Sequence, residues 1–134
     1  MVLNGLTEIG VNSDLATLLI EHAVSTVHDL PHGGRIALIA PRWMEHVAAV
    51  RPEKVAQLGI RVFDLDRTGK MDSQLAAETI QSLKKFWTSI GAHSKLSDYG
   101  IDDKEIELMA DRATLADRVF FQRTFTTFRS HLNL

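Results

Sequence analysis

The fold of this chain is decided by the stretch DLATLLIEHAVSTVHDLPHGGRIALIAPRWMEHVAAV, residues 14–50. Asn12-Ser13-Asp14, where the stretch begins, is typical of a helix N-terminus, because short polar side chains accept hydrogen bonds from the first free N–H groups. Apolar side chains then recur at helical spacing, which predicts one buried face. The residues predicted on that face are Leu15, Leu18, Leu19, His22 and Ala23.

Prolines divide this stretch into helices. Pro31 should end the first helix, because a proline pushes the preceding residue out of the α region. A proline is also favoured in a first helical turn, so a second helix should begin there. Pro41 should kink or interrupt the second helix before residues 42–50. Pro52, with Glu53 in the first turn, predicts a third helix over residues 52–63.

The second half of the chain is also predicted to be helical. Residues 64–72 form a polar loop, and the long helix that follows should have Asp72 or Ser73 as its cap and Gly91 as its stop. Residues 94–102 form another loop, and two helical segments follow it. No segment alternates between apolar and polar residues for more than a few positions. We therefore predict an all-α fold, a single helical domain over residues 1–134 with about six helices.

The composition excludes several classes of function. Of the 134 residues, 45% are hydrophobic and 24% charged, and the net charge is −2, so no global field recruits nucleic acid or an anionic membrane. The absence of cysteine excludes disulfides, thiolate metal ligands and thiol nucleophiles. Neither a signal peptide nor an apolar run of roughly 20 residues is visible. We expect a soluble, cytoplasmic protein without nucleic-acid or membrane partners.

Four of the six histidines lie within residues 20–46. Pro31 separates His28 from His32, and His32 would lie about 21 Å from His46 on one helix at 1.5 Å per residue. These histidines therefore cannot share an ion. We expect His28 and His46 at surface or capping positions. His22 is predicted on the apolar face, and His32 at a helix N-terminus near the junction of the first two helices.

The sequence of residues 3–65 resembles that of a known family. It includes a Pro-His-Gly turn whose histidine lies ten residues after another histidine. Together with SIGAHSKLSDYGID (residues 89–102), it is similar to the C-terminal helical domain of the iron-dependent alcohol dehydrogenases, in particular the butanol dehydrogenase-like branch. The resemblance implies an NAD(P)-dependent alcohol or aldehyde oxidoreductase. In that family one aspartate and three histidines hold iron or zinc, which polarises the alcohol oxygen while hydride passes to the nicotinamide.

Residue by residue, the resemblance to the family's metal site is partial. It places His32 at the family's last metal ligand and His22 at a catalytic-site histidine beside the metal, whereas Leu18 replaces another ligand. The other two ligands and the nucleotide-binding domain are expected to be absent from this chain, which has no G-x-G-x-x-G phosphate loop. One imidazole cannot hold a catalytic ion that needs three or more protein ligands. We therefore expect the isolated chain to bind neither metal nor NAD(P). We also expect Leu18 to be an ordinary residue of the hydrophobic core.

The loop DLDRTGKMD (residues 64–72) resembles the start of a calcium-binding loop. Its Asp64, Asp66, Thr68, Gly69 and Asp72 match positions 1, 3, 5, 6 and 9 of such a loop. Position 12, which should be a bidentate glutamate, is Leu75. We favour a solvated turn between two helices.

The tail RVFFQRTFTTFRSHLNL (residues 118–134) carries an aromatic stripe at helical spacing, formed by Phe121, Phe125, Phe128 and Leu132. It either packs on the core or forms a self-association surface. We expect the tail to depart from the family pattern.

Three functional interpretations follow. The first is a helical domain of an alcohol dehydrogenase-like protein that is not catalytic alone. The second is a non-catalytic interaction module that oligomerises, most simply as a homodimer. The third is an active enzyme whose nucleotide domain and missing ligands come from a partner chain.

Overall fold

A computed structural model describes residues 15–102, 105 and 108–112. Four α-helices follow one another: α1 (Ala16–Ser25), α2 (His32–Val50), α3 (Pro52–Phe63) and α4 (Asp72–Ser89). A short 3-10 helix, Leu96–Tyr99, comes next, and residues 105 and 108–112 are helical again. No strand occurs in this part of the chain, so the all-α prediction is confirmed. The predicted cap at residues 12–14 and the last predicted helix lie outside the described residues.

Two prolines mark helix starts as predicted, but α1 already ends at Ser25, so Pro31 is not what ends it. Pro31 immediately precedes α2, and Pro52 is the first residue of α3, where a fixed φ and a missing N–H are no cost. Of the two effects predicted for Pro41, a kink or an interruption, the interruption does not occur, because α2 runs through it. Ala40 and Trp43, on either side of Pro41, are both buried, so core packing holds both halves of α2 in place.

The predicted cap of α4 also needs correction. The N-cap is Met71 rather than Asp72 or Ser73, and the backbone N–H of Met71 donates to the side-chain oxygen of Gln74 at 2.9 Å. This bond satisfies the backbone N–H of the N-cap residue, one of the donors that a helix start leaves without a partner in the helix. At the other end, Gly91 has a φ of 83°, a left-handed conformation that ends the helix as predicted.

The buried face of α1 differs from the predicted one. The buried apolar residues are Ala16, Ile20, Ala23 and Val24, which also recur at helical spacing. Leu18 is only partly buried and His22 is exposed. The helix is therefore rotated relative to the prediction, and the residue that this rotation brings into the interior is Glu21.

The core lies around α2, which packs against α1, α3 and α4. One cluster joins α1 to α2 through Ala16, Ile20, Ala23 and Trp43. A second joins α3 to α4 through Val55, Ala76 and Ile80. In a third cluster, formed by Val24, Ile101 and Met109, the C-terminal part of the described chain packs against α1. This packing places the N-terminus of α2 beside the second half of α1.

Candidate functional site

A buried ion pair lies where α1 meets the first turn of α2. The Glu21 side chain is 0% exposed and that of Arg35 is 11% exposed. The Nε of Arg35 donates to Oε1 of Glu21, and Nη1 of Arg35 donates to the backbone oxygen of Leu30. The guanidinium thus joins α1, the connecting turn and α2 at one point.

Both histidines singled out by the sequence lie against the same carboxylate. Nδ1 of His32 is 3.0 Å from Oε1 of Glu21, and Nε2 of His22 is 3.5 Å from Oε2. Their side chains are 61% and 58% exposed. The prediction that His22 lies on the apolar face is therefore wrong, since it lies at the mouth of the junction. The placement of His32 at the helix junction is correct.

Charge explains why this carboxylate can be buried. Burial alone raises the pKa of Glu21, but hydrogen bonds from His32 and Arg35, together with the positive charge of Arg35, hold it below its usual value. Glu21 is therefore in its charged carboxylate form in the folded protein at neutral pH. Burying such a charge requires a partner, and Arg35 is the permanently charged one.

Gly34, in the first turn of α2, leaves room at this junction for a neighbouring segment. A Cβ on Gly34 would overlap the hydroxyl group of Tyr99, which belongs to the 3-10 helix. The ring of Tyr99 in turn contacts His93 edge to face, with the centroids 4.7 Å apart. Gly34 therefore allows the segment after α4 to lie over the start of α2.

The residues at the junction do not fit the metal ion that the resemblance implies. Leu18, at a family ligand position, has no donor atom and is only partly buried, so the expectation of ordinary core was too strong. The guanidinium of Arg35 hydrogen-bonds to the same oxygen that His32 approaches, and a cation there would be repelled. Among residues 15–102, 105 and 108–112, no three His, Asp or Glu side chains are arranged to hold a metal.

The other two histidines contact different parts of the fold. Nε2 of His28 lies 3.0 Å from Oε2 of Glu105, with 24% of the His28 side chain exposed. The ring of His46 lies 5.1 Å from that of Trp43. Both are partly buried, whereas we expected them at surface or capping positions.

The loop between α3 and α4 has the properties of a solvated turn. Oδ1 of Asp66 accepts from the backbone N–H of Thr68 at 2.9 Å, and Oδ1 of Asp72 accepts from Arg67 at 2.9 Å. The bond from Thr68 lowers the pKa of Asp66. Leu75, at the position of the required glutamate, is fully buried. The acidic groups are used within the turn, as the favoured interpretation predicted.

Sequence reasoning missed Glu21 and Arg35, the two residues that organise the site. A signal was available: Arg35 directly precedes the apolar run IALIA, and an arginine beside such a run needs an acidic partner if it is buried. Within the part of the chain described by the structure, no helix is long and apolar enough to cross a membrane.

Comparison with known proteins identifies the family to which the fold around this site belongs. Residues 6–131 match the family described as "Fe-containing alcohol dehydrogenase family, C-terminal". The probable NADH-dependent butanol dehydrogenase 1 of Bacillus subtilis is 42% identical over 130 residues, covering 97% of this chain and 32% of that protein. The NADPH-dependent aldehyde reductase YqhD of Escherichia coli is 31% identical over 104 residues, covering 78% of this chain and 26% of its own length.

Solved structures agree with the sequence matches. The crystal structure of NADH-dependent butanol dehydrogenase A from Thermotoga maritima superimposes with a TM-score of 0.75 at 28% identity, covering 86% of this chain and 28% of that one. This chain therefore spans less than a third of the length of these relatives. The match through residue 131 includes the aromatic tail, so the expectation that the tail departs from the family was wrong. The chain belongs to the Fe-containing alcohol dehydrogenase family and corresponds to the C-terminal helical domain of its members.

Proposed function

We propose that this chain serves as the helical domain of an NAD(P)-dependent alcohol or aldehyde oxidoreductase and that its 134 residues do not transfer hydride by themselves. The relatives that it matches are butanol dehydrogenases and an aldehyde reductase, and it corresponds to less than a third of each. The names of these relatives support alcohols or aldehydes as the substrate class. The binding site for NAD(P)H, which donates the hydride, and most of the metal ligands would have to be supplied by other residues.

The α1–α2 junction is the observation that carries this proposal. His32, at the family ligand position, is held by a buried carboxylate that already has a permanent cation as its partner. His22 lies within reach of the same carboxylate. In this arrangement the exposed imidazoles of His22 and His32 can bind and orient a polar substrate group by hydrogen bonds, while the buried carboxylate of Glu21 lies behind them. The Lewis-acid chemistry of the family's iron or zinc is not available from these side chains alone.

The test is turnover by the purified chain. NADH and NADPH are mixed with butanal, or the oxidised cofactors with butanol, and nicotinamide absorbance is followed with and without added iron or zinc. We expect no rate that scales with protein concentration. His32→Ala is the matched control: a rate that survives repurification and disappears in this variant would contradict the proposal.

A second candidate function is self-association, most simply as a homodimer. In the part of the chain that the structure describes, six large apolar side chains are 45–71% exposed: Val50, Val62, Met71, Phe86, Ile90 and Leu108. Apolar area of this kind is often covered by a partner. The aromatic tail, which lies outside the described residues, and the face formed by Leu15, Leu18 and His22 are the other surfaces that support this candidate.

A further inference from the structure

We infer that Glu21 is a positioning residue that holds neutral His32 in its Nδ1–H tautomer, so that the α1–α2 junction offers an imidazole acceptor to ligands that donate a hydrogen bond, such as the hydroxyl group of an alcohol. The inference rests on the proposed function and deepens it, because it names the kind of polar group that the junction takes.

The charge of Glu21 determines which atom carries the hydrogen in its contact with His32. Nδ1 of His32 lies 3.0 Å from Oε1 of Glu21, which is a hydrogen-bond distance. Burial raises the pKa of Glu21, but its hydrogen bonds lower it overall, so the side chain is an ionised acceptor without a hydrogen of its own. The hydrogen between the two atoms therefore belongs to Nδ1 of His32.

The carboxylate of Glu21 is held firmly enough to impose this tautomer. Its side chain is 0% exposed, and the guanidinium that donates to Oε1 is also bonded to the backbone oxygen of Leu30. Glu21 therefore cannot turn away from His32 into solvent. The other tautomer would direct the lone pair of Nδ1 at a charged oxygen, and a hydrogen bond to a charged group would be lost.

The tautomer of His32 decides what the junction can bind. A neutral imidazole has one donor and one acceptor nitrogen, so a hydrogen on Nδ1 makes Nε2 the acceptor. The side chain of His32 is 61% exposed, which allows a ligand to approach from solvent. An alcohol hydroxyl can donate a hydrogen bond to this nitrogen, whereas an aldehyde oxygen, which only accepts, cannot.

His22 supports the same preference from the other side of the carboxylate. Its Nε2 lies 3.5 Å from Oε2 of Glu21, a buried oxygen that has no hydrogen-bond partner among the residues that the structure describes. A hydrogen on Nε2 of His22 faces this oxygen favourably. The acceptor of the neutral His22 ring is then Nδ1, so both imidazoles offer acceptors to a ligand.

The experiment is long-range ¹H–¹⁵N NMR of the uniformly labelled protein at about pH 9, where imidazoles are neutral. The ¹⁵N shifts of the two ring nitrogens distinguish the tautomers, and His32→Ala assigns the signals. We expect the Nδ1–H form of His32 in roughly tenfold excess, because a hydrogen bond to a charged group is worth about RT ln 10 or more. Histidine side chains in water favour the opposite form.

Glu21→Met with Arg35→Met removes the carboxylate together with its partner cation, and His32 should revert to the Nε2–H form. The matched control is Arg42→Met with Glu45→Met, which removes another Arg–Glu pair, at the surface of α2. This control should leave the tautomer of His32 unchanged. If the first double variant does not fold, the wild-type spectrum decides alone.

The ligand class is tested in the same spectra with 1-butanol and with methyl propyl ether, an isomer that has no O–H group. The Nε2 signal of His32 should shift with the alcohol and not with the ether. Equal responses to the two probes, including no response to either, would overturn the inference.

A wild type with His32 in the Nε2–H form would also overturn the inference. The proposed function would survive either result, because it depends on the family and on the absence of turnover. Turnover by the isolated chain would instead defeat the proposed function and leave the tautomer of His32 as inferred.

Discussion

Arg35 and Glu21 are fourteen positions apart in sequence and hydrogen-bond directly across the α1–α2 junction, with both side chains almost completely removed from water. Removing two opposite charges from water costs several kcal/mol, which their attraction repays only in good geometry. The pair therefore adds little net stability relative to a well-packed apolar pair. Its effect is to fix the rotation of α1 against α2, because only one rotation brings Glu21 to Arg35.

Breaking this pair from one side should destabilise the protein strongly. Glu21→Ala leaves a buried guanidinium without its carboxylate and should lower the free energy of unfolding by about 3–5 kcal/mol. The double variant Glu21→Met with Arg35→Met removes both charges and should be at least as stable as Glu21→Ala. Urea denaturation of the three proteins measures this. A loss below about 1 kcal/mol for Glu21→Ala would mean that water, not Arg35, compensates the charge.

The parts of the fold that sequence predicts well are those set by local chemistry. Pro31 and Pro52 fix helix starts, because a proline's φ and missing N–H act within one turn. The rotation of α1 depends instead on a contact with Arg35, which no local pattern contains. The apolar face predicted from periodicity included His22 and left out Glu21, because a carboxylate does not contribute to an apolar pattern. The candidate site was consequently located at the correct junction but without the residues that organise it.

A close approach of α3 to α4 offers an independent test of the fold. A Cβ on Gly59 of α3 would overlap Oγ1 of Thr79 and lie 3.1 Å from its Cβ, and Thr79 is fully buried in α4. Gly59→Ala should therefore lower the free energy of unfolding by about 1–3 kcal/mol through overpacking. Gly33, in α2, has no neighbour within 4 Å of such a Cβ. Gly33→Ala should stabilise by up to about 1 kcal/mol, and equal effects at both positions would contradict the α3–α4 packing.

An ion pair between α2 and α4 should make stability depend on pH. Oε1 of Glu45 accepts from Nζ of Lys84 at 2.6 Å. Burial raises the pKa of Glu45, but hydrogen bonds from Lys84 and Arg42 lower it below the usual value of 4.5. The stabilisation is therefore complete above that value and is lost as the pH falls through the lower, folded-state pKa.

Glu45→Gln should lower the free energy of unfolding at neutral pH by about 0.2–1 kcal/mol, the range of partly exposed pairs. The difference from the wild type should disappear in acid. Urea denaturation across the pH range checks this, and Lys84→Met should add little to Glu45→Gln at neutral pH. A difference that grows as the pH falls would have the wrong sign.

Self-association should be visible by sedimentation velocity at micromolar concentration. We expect a dimer, because a few buried aromatic or aliphatic residues, each worth about 1.5–3 kcal/mol, can offset the entropy of association. Phe125→Asp with Phe128→Asp should weaken it if the tail forms the contact. Phe86→Asp with Ile90→Asp tests the exposed end of α4 in the same way. A clean monomer of the wild type would refute self-association.

Metal content tests the central claim most directly: this chain has the fold of an iron-type alcohol dehydrogenase domain, and the side chains at its α1–α2 junction do not hold the family's metal ion. Elemental analysis of protein purified without chelator, after dialysis, measures iron and zinc per chain. We predict much less than one ion of either per chain, with no change in His32→Ala. About one ion per chain in the wild type, lost in His32→Ala, would contradict the account.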